Sequence, residues 1–307
     1  MQTELLVNPP QTVFDELIQK AAETDEWPHQ SYEYRFLKEN LDGFWLLAIV
    51  ERESRSLIVG ACLALNKSEN EPLYSIGLYY CVEEYRGKGH GSKIFKAMMD
   101  IVGDSNACLA GVVGMSEKYA KHYGFDKISQ FWYYYSTIQM ENLVIPAGVS
   151  EEITTKNWLE VDEEALSAYD STICPRDRKK LMRAWFGMDR VYTRVAFDEN
   201  QRIVGYASIR AVNLNRICAA PFYADNLNTA ERLLTDILET IPNVRTYSSV
   251  AFSHPEINAN ATKLLQNFSK DGKFEMEMDF KTQFTRNFIK TPDEKVYSVA
   301  DNTHQFV

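Results

Sequence analysis

The stretch that most constrains this chain runs Tyr79-Tyr80-Cys81-Val82-Glu83-Glu84-Tyr85-Arg86-Gly87-Lys88-Gly89-His90-Gly91-Ser92-Lys93-Ile94-Phe95. Leu73 to Val82 is apolar, rich in Tyr and Ile and bounded by Pro72, a pattern that predicts a strand. Ile94, Phe95, Met98, Met99 and Val102 recur at helical spacing, which puts a helix start near His90. Strand, glycine-rich turn and helix start together aim backbone N–H groups and a positive helix end at one point, a place suited to an anion and above all to phosphate. The glycine spacing excludes two familiar phosphate loops. A P-loop needs four residues between its first glycine and Gly-Lys-Ser/Thr, and a dinucleotide loop needs G-x-G-x-x-G. Gly87, Gly89 and Gly91 read G-x-G-x-G.

What fits is R-x-x-G-x-G, supplied by Arg86, Gly89 and Gly91. This resembles the acyl-coenzyme A (CoA) pyrophosphate loop of the GNAT N-acetyltransferase superfamily. The competing reading is an ordinary strand-to-helix turn with two solvated cations. The resemblance implies acetyl-CoA or another acyl-CoA as co-substrate, no metal, and direct transfer of the acyl group to an amine. It implies that Gly87, Lys88, Gly89, His90, Gly91 and Ser92 hold the pyrophosphate through their backbone, and that Arg86 supports the loop or meets a phosphate oxygen. Tyr80, Cys81 and Val82 then form the strand end beside the thioester, with the Cys81 backbone N–H as oxyanion donor. The Cys81 thiol is not read as a nucleophile, because no histidine is tied to it by any motif and a strand cysteine is usually inert.

The first half reads in order as a short strand (Leu5–Val7), two helices (Val13–Ala21, Tyr32–Leu41), a hairpin (Phe44–Val50, Leu57–Leu65) and a break at Lys67–Glu71. The Leu73–Val82 strand and loop-helix come next, then a strand (Ala107–Val113), a short helix (Ser116–Tyr123) stopped by Gly124, and a closing strand (Phe131–Ile138). This is the GNAT element order, an α/β fold (α+β, with a mixed sheet). Tyr119-Ala120-Lys121-His122-Tyr123-Gly124-Phe125 resembles the family's second signature, a short helix running into Gly-Phe. Family members often carry a tyrosine four residues before that glycine, where it protonates the departing thiolate. Here Ala120 holds that position, so Tyr119, Tyr123 or solvent takes the role.

At 307 residues, two domains are expected. The second half repeats the first: Ile58-Val59-Gly60 recurs as Ile203-Val204-Gly205, each after an apolar strand (Phe44–Val50, Val191–Phe197) and a polar turn. A helix through Ala230–Leu238, a strand at Val244–Phe252, a helix at Ala259–Phe268 and a strand at Phe274–Phe284 complete it. Two GNAT-like domains are expected, residues 1–145 and 149–307, joined near Glu141–Ser150. Where a second phosphate loop would lie the chain reads Ala220-Pro221-Phe222-Tyr223-Ala224-Asp225-Asn226-Leu227-Asn228, with no arginine, no paired glycines and an aspartate that repels phosphate. The second domain is read as having lost CoA binding. Together with Val204–Arg210, these motifs resemble the YitH-like acetyltransferases, in which an active GNAT domain precedes a divergent one.

A net charge of −10 argues against a basic nucleic-acid surface. The five cysteines are scattered and in no metal-ligand spacing, which suits reduced thiols. Met1–Pro10 lacks a charged-then-apolar leader, and the longest apolar run, Phe44–Val50, is too short to span a bilayer, so no membrane association and a cytoplasmic location are expected.

The general base is not identified. Glu83 and Glu84 read as solvated carboxylates, His90 as a loop residue whose cation the helix start disfavours, and His122 as surface. Tyr79 and Tyr80 fall on opposite strand faces, so one faces the cleft, as a candidate for the substrate, and one packs. In the second half Tyr169, Asp170, Arg176, Arg178, Arg210, Tyr223 and Asp225 are candidates for a substrate pocket, though Asp170-Ser171 also reads as cap chemistry before a helix over Arg176–Phe186. The expected function is acetyl-CoA-dependent N-acylation of a small amine or amino-acid-like molecule. The alternatives are a non-catalytic acyl-CoA sensor and a protein-interaction module on the second domain.

Overall fold

The computed structural model describes residues 2–68 and 71–300, which divide into two compact units. Of the described residues, the first comprises those up to Ile128 together with Thr282–Phe288; the second comprises Ser129–Lys281 and residues 289–300. No helix among the described residues is long and apolar enough to cross a membrane.

In the first unit β1 (Thr3–Val7), α1 (Gln11–Asp25), α2 (Tyr32–Asn40), β2 (Gly43–Glu51), β3 (Leu57–Ser68), β4 (Glu71–Cys81), α3 (His90–Val102), β5 (Asn106–Val112), α4 (Ser116–Tyr123) and a short β6 (Lys127–Ile128) follow in order. The expected break at Lys67–Glu71 narrows to 69–70, which lie outside the described residues. Strands β1 to β4 pair antiparallel in sequence, and β5 joins β4 in parallel. Ile94, Phe95 and Met98 of α3 pack on Leu47, Ile49, Val59, Ala61 and Leu63, which fixes where the start of α3 sits. Leu17 of α1 comes so near β3 that a Cβ on Gly60 would lie 2.9 Å from its Cδ1. Gly124 ends α4 in the left-handed conformation, at φ 79°, as expected of a glycine stop.

The second unit holds β7 (Tyr133–Gln139), β8 (Thr154–Asn157), α5 (Glu163–Ile173), α6 (Lys179–Phe186), β9 (Val191–Phe197), β10 (Ile203–Val212), β11 (Arg216–Ala224), α7 (Leu227–Thr240), β12 (Ser249–Pro255), α8 (Ala259–Asn267), β13 (Glu275–Phe284, leaving the unit after Lys281) and β14 (Val296–Ser298). Its strand order is β13-β7-β12-β11-β10-β9-β8, with β14 against β11. Only β11 and β12 run parallel among these pairs.

Several expectations change. The Phe131–Ile138 strand does not close the first unit: as β7 it lies in the second, in register with β12 from Ser249↔Gln139 to Pro255↔Tyr133. In exchange, Thr282–Phe288 serves the first unit. Gln283 and Phe284 pair with Ile128 and Lys127, and the Thr285 N–H donates to the Ala107 carbonyl at 2.9 Å. Gln283, fully buried, donates through Nε2 to the carbonyls of Ser116 and Phe125. Alternation predicts a strand but not its partner, which is why this exchange is invisible in the pattern.

Residues Val244–Thr246 form a 3₁₀ turn after Asn243 at φ 52°, so β12 starts only at Ser249. Asp170 is no cap: it sits inside α5, whose cap is Asp162, accepting from the Ala165 N–H. The helix expected from Arg176 begins at Lys179. The repeated Ile-Val-Gly words open the second strand of each hairpin, but with a bulge one residue apart, which turns the glycines to different neighbours. Gly60 makes room for the helix before its hairpin, whereas a Cβ on Gly205 would meet Thr229 and Leu233 of the helix after it.

A fragment of residues 1–145 lacks Thr282–Phe288, so buried carbonyls at Ser116 and Phe125 lose their donor. It is expected to melt without a cooperative transition when followed by circular dichroism. A sharp transition coinciding with one of the full chain would contradict this account.

Candidate active site

The site begins with a defect in β4. Leu78 lies mid-strand at φ 50°, and the register to β3 jumps from Gly60↔Tyr80 to Cys62↔Gly77, the mark of a bulge. A buried leucine in that region costs on the order of 1–3 kcal/mol, so the surrounding packing must impose it. Beside the bulge the parallel ladder to β5 ends at Ile76↔Leu109. Beyond that point β4 keeps β3 on one edge, and no strand among the described residues pairs with the other. The Val82 N–H donates to the Ile58 carbonyl, so by the alternation of an antiparallel ladder the Cys81 N–H faces away from β3, toward the edge that β5 has left.

The loop after β4 is built around two glycines at positive φ, Gly87 (77°) and Gly89 (82°). Gly89 is the N-cap of α3 and offers no side-chain cap, and no acidic residue sits in the first turn. The first turn of any helix leaves N–H groups without intrahelical partners. Here those of Gly87, Gly89, His90, Gly91 and Ser92 find none among the described residues. Space is also left: a Cβ at Gly87 or Gly89 would meet nothing within 4 Å. N–H groups, helix dipole and open room fit a diphosphate, and the chain's own residues would hold one here.

Arg86 is held beside the end of β4. Its Nε donates to the Cys81 carbonyl at 3.0 Å, its Nη2 lies 3.6 Å from Asp25, and its guanidinium sits over the Tyr80 ring. It ties the loop to the end of β4. Lys88 lies over the Tyr85 ring, exposed. Val82 has no free donor, since its N–H goes to Ile58 while its carbonyl accepts from Tyr85.

Tyr79 and Tyr80 do face opposite ways. Tyr80 is buried, with its hydroxyl bonded to Thr24 and its ring edge-on to Trp27, so only its backbone is on offer. Tyr79 meets Phe95 edge-on at 5.7 Å, and its hydroxyl lies against the start of α3: a Cβ on Gly91 would be 2.0 Å from it. Burial first, then the neighbouring Cys81 and Tyr123, push the Tyr79 hydroxyl up to about 12, so it stays protonated. Phe95 is also stacked by Tyr123 at 4.0 Å and by Tyr119 at 5.4 Å. Tyr119 is 6% exposed and its hydroxyl is driven well up by burial, whereas Tyr123 is half-buried. Burial likewise pushes the Cys81 thiol up, against a smaller opposing pull from Arg86.

The second unit treats the same places differently. Only Asp225 and Asn226 stand between β11 and α7, and the Asn226 side chain caps the helix by accepting from the Thr229 N–H at 3.0 Å. Where the β11–β12 ladder ends at Cys218↔Ala251, β14 enters. Ser298 donates to the Ala219 carbonyl and accepts from the Ser253 N–H, and the Val299 N–H donates to the Ser253 carbonyl.

Of the candidates in this unit, Asp170 and Tyr223 meet through Arg178, which donates to both. Asp225 accepts from Tyr169 and pairs with Lys295. The Arg210 guanidinium lies over the Trp185 ring. Neither the Leu78 bulge nor the insertion of β14 was foreseen. Gly77 was the one local hint of the former, and a three-residue strand leaves no periodic signal for the latter.

Two acetyltransferase (GNAT) family models match the chain, one over residues 13–129 and one over 166–298. An uncharacterized protein of Caenorhabditis elegans, F36G3.2, is 25% identical over 92% of this chain and 91% of its own length. A proposed acetyltransferase of Pyrococcus horikoshii shares the fold with a TM-score of 0.70, at 15% identity, covering 98% of this chain and 95% of that one. A tandem GNAT protein from the clavulanic acid biosynthesis pathway does so with a TM-score of 0.65, at 14% identity, over 92% and 98%.

Two outcomes test this geometry. Burial, then Lys93 and Lys88, hold the His90 imidazole below its ordinary 6.5, so its contribution to stability is present above 6.5 and is lost as pH falls through the lowered value. An NMR titration should give a midpoint under 6.5 that rises in Lys93→Ala; a midpoint at or above 6.5 would remove the claim. Gly91→Ala should destabilise by about 1–3 kcal/mol through its clash with the Tyr79 hydroxyl, and Tyr79→Phe in the same chain should recover most of that. Equal loss in the single and double variants would show that the hydroxyl is not what Gly91 accommodates.

Proposed function

Since the chain belongs to the GNAT acetyltransferase superfamily and carries two GNAT domains in tandem, we propose that its first domain is the working one, an acetyl-CoA-dependent N-acyltransferase acting on a small amine or amino-acid-like acceptor. The observation that carries this reading is the set of N–H groups of Gly87, Gly89, His90, Gly91 and Ser92, without partners among the described residues, at an uncapped helix start with open space before it. Bound there, the co-substrate supplies an acyl group already activated as a thioester.

The chain's own residues then divide the work. The N–H groups and the positive end of α3 hold the diphosphate, and Arg86 keeps the loop fixed to β4. The Cys81 N–H, turned to the unpaired edge of β4, donates to the carbonyl oxygen as negative charge builds on it. The Cys81 thiol, held protonated by burial, takes no part as nucleophile. Tyr123 holds the proton for the departing sulfur, because it keeps solvent access, whereas Tyr119 is packed beneath it against Phe95. Tyr79 lines the same wall. Fixing acceptor and acyl donor in one cleft removes the entropic cost of their encounter, which contributes on the order of 7–11 kcal/mol at best. A second reading, an acyl-CoA sensor without turnover, is favoured by one feature, Ala120 at the position where relatives carry a tyrosine.

Acetyl-CoA should raise the melting temperature of the full chain, and Gly89→Trp, which places a large side chain at φ 82°, should abolish the shift. A thiol-release assay with a panel of amines should show turnover, reduced about 10²-fold or more in Tyr123→Phe. A retained melting shift with no thiol released for any amine would leave the sensor; absence of both would overturn each reading.

A further inference from the structure

The second unit contains a cavity of about 180 Å³ beside α5 and α6 that the acyl-transfer reading does not use. Trp158, Leu166, Met182 and Phe186 line its walls, and Asp170 and Tyr206 its inner end. The aromatic side is ordered, with Trp158 tilted at 52° to Phe186 at 5.7 Å and Tyr206 edge-on to Phe186 at 5.6 Å. Leu159, also on the lining, is 72% exposed, an apolar residue that the fold leaves uncovered. An apolar cavity of about 150 Å³ suffices for a benzene ring in another protein, so this one takes a ring with a small substituent.

Its polar end decides the rest. Asp170 Oδ1 accepts from Arg178 Nη2 at 2.7 Å and from the Tyr206 hydroxyl at 2.5 Å, while Oδ2, among the described residues, accepts only from Arg178 Nε at 2.9 Å. A carboxylate offers about four acceptor positions, so Oδ2 retains one for a further donor. The charges are already spent. Asp170 is neutralised by Arg178, Arg183 pairs with Glu163 at 2.5 Å, and Lys179 pairs with Glu164 and approaches Glu163 at 4.0 Å. An ion entering this cavity would lose its hydration without gaining a counter-charge, whereas a neutral donor would satisfy Oδ2 at no such cost.

We propose that this cavity is a binding site for a small neutral aromatic molecule carrying one O–H or N–H donor. The ring lies among Trp158, Phe186, Leu166 and Met182, and the donor reaches Asp170. The site draws on no residue of the first unit and stands whether or not the acyl-transfer reading does.

The test uses the full chain and five probes of similar size: phenol and indole, which match; toluene, which lacks the donor; and benzoate and benzylammonium, which are charged. In calorimetric or ligand-observed NMR titrations, phenol and indole should saturate one site, with the other three at least about tenfold weaker. Leu166→Trp and Met182→Phe, each checked for folding by thermal melting, should weaken phenol and indole at least about tenfold by filling the space. If either variant does not fold, the other decides, and the five-probe series decides on the native chain alone. No saturable binding of phenol or indole, equal binding of all five probes, or native affinity in a folded filled-cavity variant would overturn the proposal.

Discussion

Peptide N–H groups that the fold cannot satisfy are the constraint from which the first unit's site follows. An unpaired donor is tolerated where water reaches it and costs about 1–3 kcal/mol where water does not, so a chain that leaves a row of them must leave them open to something. Gly87 and Gly89 take the backbone through positive φ into α3, and no side-chain cap or first-turn acidic residue among the described residues meets the N–H groups of Gly89, His90, Gly91 and Ser92. The Leu78 bulge and the early end of the β4–β5 ladder extend the same logic along the strand, where the Cys81 N–H is turned to an edge without a partner. The open loop amides and the turned Cys81 N–H both lie where β4 runs on past its ladder with β5.

The second unit shows what happens when a fold of the same family closes that opening. β14 enters where β11 and β12 part, and Ser298 bonds to both strands. Asn226 caps α7, its side chain accepting from the Thr229 N–H. The Asp225 N–H donates to the Val204 carbonyl, and neither bond has a counterpart at the start of α3 among the described residues. The polar residues there are drawn into a buried set around Asp170 and Arg178, whose open side meets the apolar cavity beside α5 and α6 rather than a phosphate loop.

Local chemistry made much of this readable from residues alone. Glycines at Gly87, Gly89 and Gly124 announce backbone conformations that few other residues adopt, and the apolar spacing of Ile94, Phe95, Met98 and Val102 fixes α3, so loop and helix starts were legible. What stayed hidden depends on partners distant in sequence. Nothing in Tyr133–Gln139 tells that it pairs with Ser249–Pro255, or that Gln283 returns to bond the carbonyls of Ser116 and Phe125. Asp170 reads as a cap because aspartate favours caps, yet a buried arginine eight residues on draws it into the core. The Arg86 contact with the Cys81 carbonyl depends on geometry that no spacing encodes.

The central claim is that the amides from Gly87 to Ser92 grip the diphosphate of coenzyme A. Amide hydrogen exchange in the full chain, with and without saturating coenzyme A, tests it most directly. Protection confined to that loop and the first turn of α3, with none at Asp225–Thr229, is the predicted result. Unchanged exchange from Gly87 to Ser92, or protection at the start of α7 instead, would contradict the account.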